Sequence, residues 1–135
     1  MGNSAVAPRS NVTQQEHYFR ATVSFDTPLI GTAGKVPLGT LPAGAIVTGM
    51  LVKITAAFNA ATTNVLTVGT AADASAVLGA TDIDEADVDI TQAFTAYGYN
   101  PTVDTPLFIK YAQTGTAATA GRAIIILFYV PDNDR

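Results

Sequence analysis

Apolar and polar residues alternate along YFRATVSF, residues 18–25. A period of two is typical of a β-strand with one buried face. The segment therefore predicts a strand whose two faces differ in polarity. The apolar face carries Phe19, Ala21, Val23 and Phe25, and the opposite face carries Tyr18, Arg20, Thr22 and Ser24.

A longer segment, residues 46–70, holds a single charged residue, Lys53, and is too polar to cross a membrane. Its first part predicts a strand with apolar residues on one face, namely Met50, Val52, Ile54, Ala56 and Phe58. Asparagine favours turns, so NAATTN predicts a break in this strand. VLTVGT then predicts a second strand, and the pair predicts a hairpin with a long loop.

Two strong strand patterns follow nearer the C-terminus. PLFIKYAQ places Leu107, Ile109 and Tyr111 on one face. RAIIILFYV is apolar on both faces, which is typical of a central strand or of a strand that also meets a partner. Between them, VDITQAF is a weaker strand candidate.

The connecting segments contain no pattern for a helix of three turns. DTPLIGTAGKVPLGTLPAG is rich in Pro and Gly, and it predicts at most one short edge strand around Lys35–Leu38. DASAVLG predicts one helical turn, capped by Asp73 and ended by Gly79 in a left-handed conformation.

Strands joined by such loops predict an all-β fold, a single antiparallel β-sandwich with jelly-roll topology favoured. We expect three parts along the chain. They are a polar N-terminal arm over residues 1–17, the sandwich domain over residues 18–131, and an acidic tail over residues 132–135.

Composition narrows the possible functions. The 135 residues suit one domain, 48% are hydrophobic, and only 13% are charged, about half the usual share. The net charge of −4, with basic residues scattered along the chain, argues against nucleic acid as a partner. No apolar leader follows Met1, so we expect no secretory signal.

Residues for catalysis are sparse. The chain has no cysteine and one histidine, His17, at the edge of the polar arm. No serine or threonine stands in a nucleophile motif, and no glycine-rich loop of the phosphate-binding type occurs. We therefore expect no enzyme activity and no cofactor.

Acidic residues concentrate in DIDEADVDI, which places Asp82, Asp84, Glu85, Asp87 and Asp89 within eight positions. Oxygen ligands at this density can hold Ca²⁺, but the spacing does not fit an EF-hand. We interpret the run as a solvated acidic loop leading into a strand, and we expect no metal site.

The candidate interface residues are aromatic or aliphatic, with one histidine. Tyr97 and Tyr99 lie in a Gly/Pro-rich loop, FTAYGYNP, where two rings are hard to bury, and tyrosine is enriched at interfaces. We select His17, Tyr97, Tyr99, Ile124, Ile126 and Phe128.

The segment LPAGAIVTGMLVKITAAFNAATTNVLTVGTAAD, residues 41–73, resembles a segment recurrent in small structural proteins of tailed bacteriophages. In size and strand plan, the whole chain is similar to the jelly-roll cement (decoration) proteins of short-tailed phages. The resemblance implies a virion protein on the outer surface of the capsid that stabilises the phage head. It also implies synthesis in the cytoplasm of the bacterial host. It carries over no catalytic residue.

The partners implied by this resemblance are the major capsid protein and the chain itself. We expect a homodimer rather than a trimer, and neither nucleic acid nor a membrane as a partner. Two alternatives stay open, a module of a phage head or tail fibre and a carbohydrate-binding β-sandwich.

Overall fold

The computed structural model describes residues 16–27, 35–93 and 96–132. The strands are β1 His17–Ser24, β2 Val36–Leu41, β3 Ile46–Ala56, β4 Thr63–Gly69, β5 Ile90–Gln92, β6 Thr105–Thr114 and β7 Arg122–Val130. The described residues contain no α-helix, and so no helix there is long and apolar enough to span a membrane. The all-β prediction is confirmed.

The strands form two antiparallel sheets, one of four strands in the order β1-β7-β3-β5 and one of three in the order β2-β6-β4. Each strand lies in the opposite sheet from the strand before it in the chain. This is the strand plan of a jelly roll in which one of the eight usual strands is reduced. At that position, beside β4, an isolated bridge joins Val68 to Leu78.

The core lies between the inward faces of the two sheets. β6 and β7 run through the middle of their sheets, and their burial alternates residue by residue. Phe58 and Tyr111 are fully buried, with ring centroids 4.7 Å apart. The predicted inward faces of β3 and β6 are thus confirmed, except that a register shift after Ile54 pairs Ala56 with the outward residue Arg122. Strand β7 is confirmed as a central strand.

One glycine is required by this core. Gly121 precedes β7 with a φ of 146°, in the range that disfavours side chains. A Cβ atom there would lie 2.3 Å from the Phe58 ring. The carbonyl of Gly121 also accepts a hydrogen bond from the backbone N–H of Phe25 at 3.0 Å. The chain therefore enters β7 in a conformation that only glycine allows.

The predicted hairpin of β3 and β4 is wrong. The two strands lie in different sheets, and the loop between them crosses from one layer to the other. Asn64 stabilises this crossing, because its Oδ1 accepts hydrogen bonds from the Ala60 N–H at 2.9 Å and from the Tyr111 hydroxyl at 2.5 Å.

The predicted helical turn at residues 73–79 is also wrong. Asp73 Oδ1 accepts a hydrogen bond from the Ser75 N–H at 3.0 Å, as a helix cap would, but the chain continues as turns and bends. Val77 and Leu78 then bond to Val68 on β4. Gly79 does not have a positive φ, so it is not a left-handed stop.

Strand β2 confirms the expected edge strand, at the margin of the three-stranded sheet. The weaker candidate at residues 88–94 yields β5, three residues long. Strand β1 begins at His17. Most of the predicted arm and of the acidic tail lies outside the described residues.

Candidate interaction surface

The outward side of the four-stranded sheet is mostly apolar. We call it the apolar outer face, and it has nine apolar members, Tyr18, Ile46, Leu51, Ile90, Tyr97, Ile124, Ile126, Phe128 and Val130. An antiparallel sheet usually turns polar residues toward solvent. The pattern on β7 departs from this rule at four successive outward positions.

Strand register brings these residues into rows. Ile126 of β7 lies opposite Arg20 of β1 and Leu51 of β3. The next row places Ile124 opposite Thr22 and Lys53. Neighbours in such rows are close enough for their side chains to touch. The apolar outer face therefore runs without a break along β7, and Arg20, Thr22 and Lys53 border it on the neighbouring strands.

Several members of this face are strongly exposed. Tyr18 is 63% exposed, Ile90 57%, Ile46 50% and Tyr97 45%. The three β7 residues between them are half-buried by their neighbours on β1 and β3. A continuous apolar patch rimmed by polar groups marks an interaction site in soluble proteins.

An open groove of about 190 Å³ indents this face. Gly49 lies between Tyr97 and Phe128 in the lining, and a Cβ atom at this glycine would be 3.6 Å from the Tyr97 hydroxyl. That hydroxyl accepts a hydrogen bond from Gln92 Nε2 at 2.8 Å. At another part of the groove, the Thr48 hydroxyl donates to Glu16 Oε2. The groove has an aromatic wall and a polar rim, and its size suits one large side chain.

Three exposed cations, Arg20, Lys53 and Arg122, belong to the outward rows of the same sheet. Within the described ranges, no carboxylate lies in salt-bridge distance of any of them, and Glu16 is the acidic residue in the groove lining. The whole chain has seven basic and eleven acidic residues. Three of the five basic residues in the described ranges thus lie on one face of an acidic protein.

Four of the six predicted interface residues share the apolar outer face, namely Tyr97, Ile124, Ile126 and Phe128. Tyr99 is half-buried against the core. His17 stacks on the buried Tyr129, with ring centroids 5.5 Å apart, at the end of the inward side of β1. The fold therefore separates His17 and Tyr99 from the other four residues.

The interpretation of residues 82–89 as a solvated loop is wrong in part. Ile83 and Glu85 are buried, at 8% and 6% exposure. Glu85 Oε1 accepts a hydrogen bond from the backbone N–H of Leu66 at 2.6 Å. Leu66 belongs to β4, the edge strand, so this carboxylate occupies an edge position where a neighbouring strand would otherwise bond.

The environment of Glu85 disfavours its charged form. Burial raises the pKa of this carboxyl above its ordinary 4.5, and the negative charge of Asp84 adds to the shift. The hydrogen bonds from the backbone N–H groups of Leu66 and Glu85 act in the opposite direction. Burial, together with the charge of Glu85, also raises the pKa of Tyr111.

In the described part of the chain, no three acidic or histidine side chains converge as metal ligands would. Two other carboxylates of the acidic run accept hydrogen bonds from the local backbone. Asp82 Oδ2 accepts from the Gly79 N–H at 2.7 Å, and Asp84 Oδ1 accepts from the Ala86 N–H at 3.0 Å. These contacts give the run a structural role in shaping the loop.

The sequence matches no protein-family profile and no curated protein. A solved structure, the capsid asymmetric unit of cyanophage Pam1, contains a similar chain with 26% identity and a TM-score of 0.70. The match covers 96% of this chain and 97% of that one.

Two further capsid structures contain chains of the same fold. One is the acidic stable capsid of Helicobacter pylori bacteriophage KHP30, at 18% identity, a TM-score of 0.59, and 88% and 91% of the two chains covered. The other is the capsid of Ralstonia phage GP4, at 18% identity, a TM-score of 0.54, and 87% and 84% covered. The fold thus occurs in chains of three phage capsids.

Proposed function

We propose that this chain is a structural protein of a bacteriophage virion and acts as a cement protein on the outer surface of the head. The observation that carries the proposal is the similarity to a chain of the cyanophage Pam1 capsid, which extends over nearly the full length of both chains. A match over whole chains means that the similar chain is of the same size and architecture. Residues 41–73, with their resemblance to small phage structural proteins, support the same role.

The apolar outer face supports a role in binding rather than in catalysis. Nine apolar side chains form it, and the groove beside Gly49 can receive one side chain of a partner. Binding energy at interfaces is concentrated in a few well-packed residues, with aromatic side chains prominent among them. A cement protein functions through binding energy alone, so the apolar outer face and its groove are sufficient for this function.

The proposed partner is the major capsid protein, with the apolar outer face as the contact surface. The part of the predicted arm that precedes Glu16, residues 1–15, is proposed as a second contact. Fifteen residues reach about 50–54 Å when extended, which is enough to cross a joint between capsid subunits. Self-association as a homodimer remains a prediction, as do the location on the virion exterior and the absence of catalysis.

The test is co-sedimentation with heads of the encoding phage that were assembled without this protein. We expect saturable retention of the chain and a higher temperature of head disruption after its addition. A matched sample of the same heads that already carry the protein should bind little more. Absence of retention would contradict the cement function, and retention on a carbohydrate resin instead would favour the sugar-binding alternative.

A further inference from the structure

We infer that the apolar outer face docks on an acidic surface of another protein, with Arg20, Lys53 and Arg122 as its electrostatic rim. This inference rests on the proposed function and deepens it, because it specifies the chemistry of the capsid surface that is bound. The partner surface should present carboxylates around an apolar centre and one protruding side chain for the groove.

The first step of the argument is the position of the cations relative to the apolar residues. Arg20 lies opposite Ile126, and Lys53 lies opposite Ile124. The two cations therefore flank the β7 row on its two sides, from β1 and from β3. Charges at the rim of an apolar centre steer association and select the partner.

The second step is that the described part of this chain does not neutralise these charges. All three cations are exposed, and no carboxylate of the described residues is in salt-bridge distance. The acidic residues of positions 82–89 instead bond to backbone groups of their own loop and of β4. Three exposed cations with no ion-pair partner among the described residues, on a chain of net charge −4, favour an acidic partner.

The third step concerns a second copy of the chain as the occupant. Pairing two apolar outer faces would place Arg20, Lys53 and Arg122 of both copies in one interface, where Glu16 is the acidic residue of each groove lining. Like charges across an interface oppose association. The charge pattern therefore favours a different protein over a symmetric dimer on this face.

The experiment compares Lys53→Glu with Lys110→Glu. Both substitutions change the net charge by the same amount, and Lys110 lies on the outward side of the three-stranded sheet. A double variant, Arg20→Glu with Lys53→Glu, enlarges the effect. Affinity for heads made without the protein is measured by co-sedimentation at low and high salt, and folding is checked by thermal melts.

We expect the double variant to bind about tenfold more weakly at low salt, because rim charges contribute modestly and reversal turns attraction into repulsion. Lys110→Glu should bind within twofold of the wild type. Wild-type affinity should fall as salt rises, and the double variant should lose most of this dependence.

Equal binding of the wild type and a folded double variant would overturn the inference and leave the cement function standing. Failure of the wild type to bind heads would overturn both. Dimerisation of the wild type that Ile126→Asp abolishes, with head binding unchanged, would assign the face to a second copy. A gel shift of duplex DNA that the double variant loses would assign it to nucleic acid, also against the inference.

Discussion

The two sheets of the sandwich present different surfaces to solvent. The central strand of the four-stranded sheet, β7, turns Ile124, Ile126 and Phe128 outward. The outward side of the three-stranded sheet is rich in threonine, and the hydroxyls of Thr63 and Thr114 are 2.6 Å apart across β4 and β6. Both sheets bury one face in the same core, so the core does not require this difference.

The comparison indicates that the two outward faces serve different purposes. Threonine suits a solvated strand, because its branched side chain favours the β conformation and its hydroxyl bonds to water. Isoleucine at the same kind of position gains little from folding alone. An apolar outward row is therefore more consistent with a surface that a partner covers.

The largest expected effect is on binding to heads, when the outward side of the four-stranded sheet is made as polar as that of the three-stranded sheet. Replacing Ile124 and Ile126 together by Thr should weaken binding to heads about 100-fold, because each central interface residue contributes more than about 1 kcal/mol. Co-sedimentation measures the affinity, and a cooperative thermal melt shows that the variant is folded.

The matched control for this change is Val65→Thr on the outward side of the three-stranded sheet, a change of nearly equal volume. We expect less than a twofold loss of binding. Equal losses for both variants would remove the functional distinction between the faces.

The next effect is on stability and concerns the edge of the three-stranded sheet. Glu85→Ala removes the acceptor of the Leu66 N–H and should lower the free energy of unfolding by about 1–3 kcal/mol. Asp84→Ala is the control, since this exposed carboxylate bonds only to the nearby Ala86 N–H. Urea denaturation of both variants measures the difference, and similar losses would count against a special role for Glu85.

A smaller effect is expected from pH. Because the pKa of Glu85 is raised in the folded state, folding favours its protonated form. The destabilisation caused by its charge is present at neutral pH and is relieved as pH falls through the raised value toward 4.5. Relative to Glu85→Gln, which does not titrate, the wild type should therefore gain stability on acidification. A constant difference between pH 7 and pH 4.5 would show that the carboxyl is not perturbed.

For removal of metal ions, we expect no effect on the melting temperature. Residues 82–89 use their carboxylates within the loop, and the described residues show no group of three metal ligands. A chelator should leave the melting temperature unchanged, while a bound metal in excess would have raised it. A lower melting temperature in chelator, restored by Ca²⁺, would reveal a site.

Local patterns predicted the strands well but not their partners. Alternation in residues 18–25 and 106–113 gave the correct inward faces, because burial at a sheet follows the period of two directly. The false hairpin of β3 and β4 shows the limit. Nothing local to Asn59 or Asn64 reveals that the loop crosses between layers, since the Tyr111 hydroxyl that bonds Asn64 is distant in the chain.

The sequence predicted the part of the apolar outer face that lies on β7, but not the residues that neighbouring strands bring beside it. Residues 122–130 are apolar on both faces, and this signal identified Ile124, Ile126 and Phe128. Arg20 and Lys53 appear scattered in the sequence, and only strand register brings them beside β7. Glu85 carried no signal, because nothing in the sequence distinguishes it from the other acidic residues of the run, Asp82, Asp84, Asp87 and Asp89.

The pairing of β1 with β7 has a mechanical consequence. The strands are antiparallel and His17 lies opposite Tyr129, so both ends of the described sandwich leave it on the same side. Tension applied to both ends would peel the two strands apart one hydrogen-bonded pair after another. If the sheet is instead anchored through its outer face and β1 is pulled at Glu16 along its own axis, the force is shared by all eight residue pairs between β1 and β7 at once. The same protein would thus resist pulling strongly or weakly according to where it is anchored.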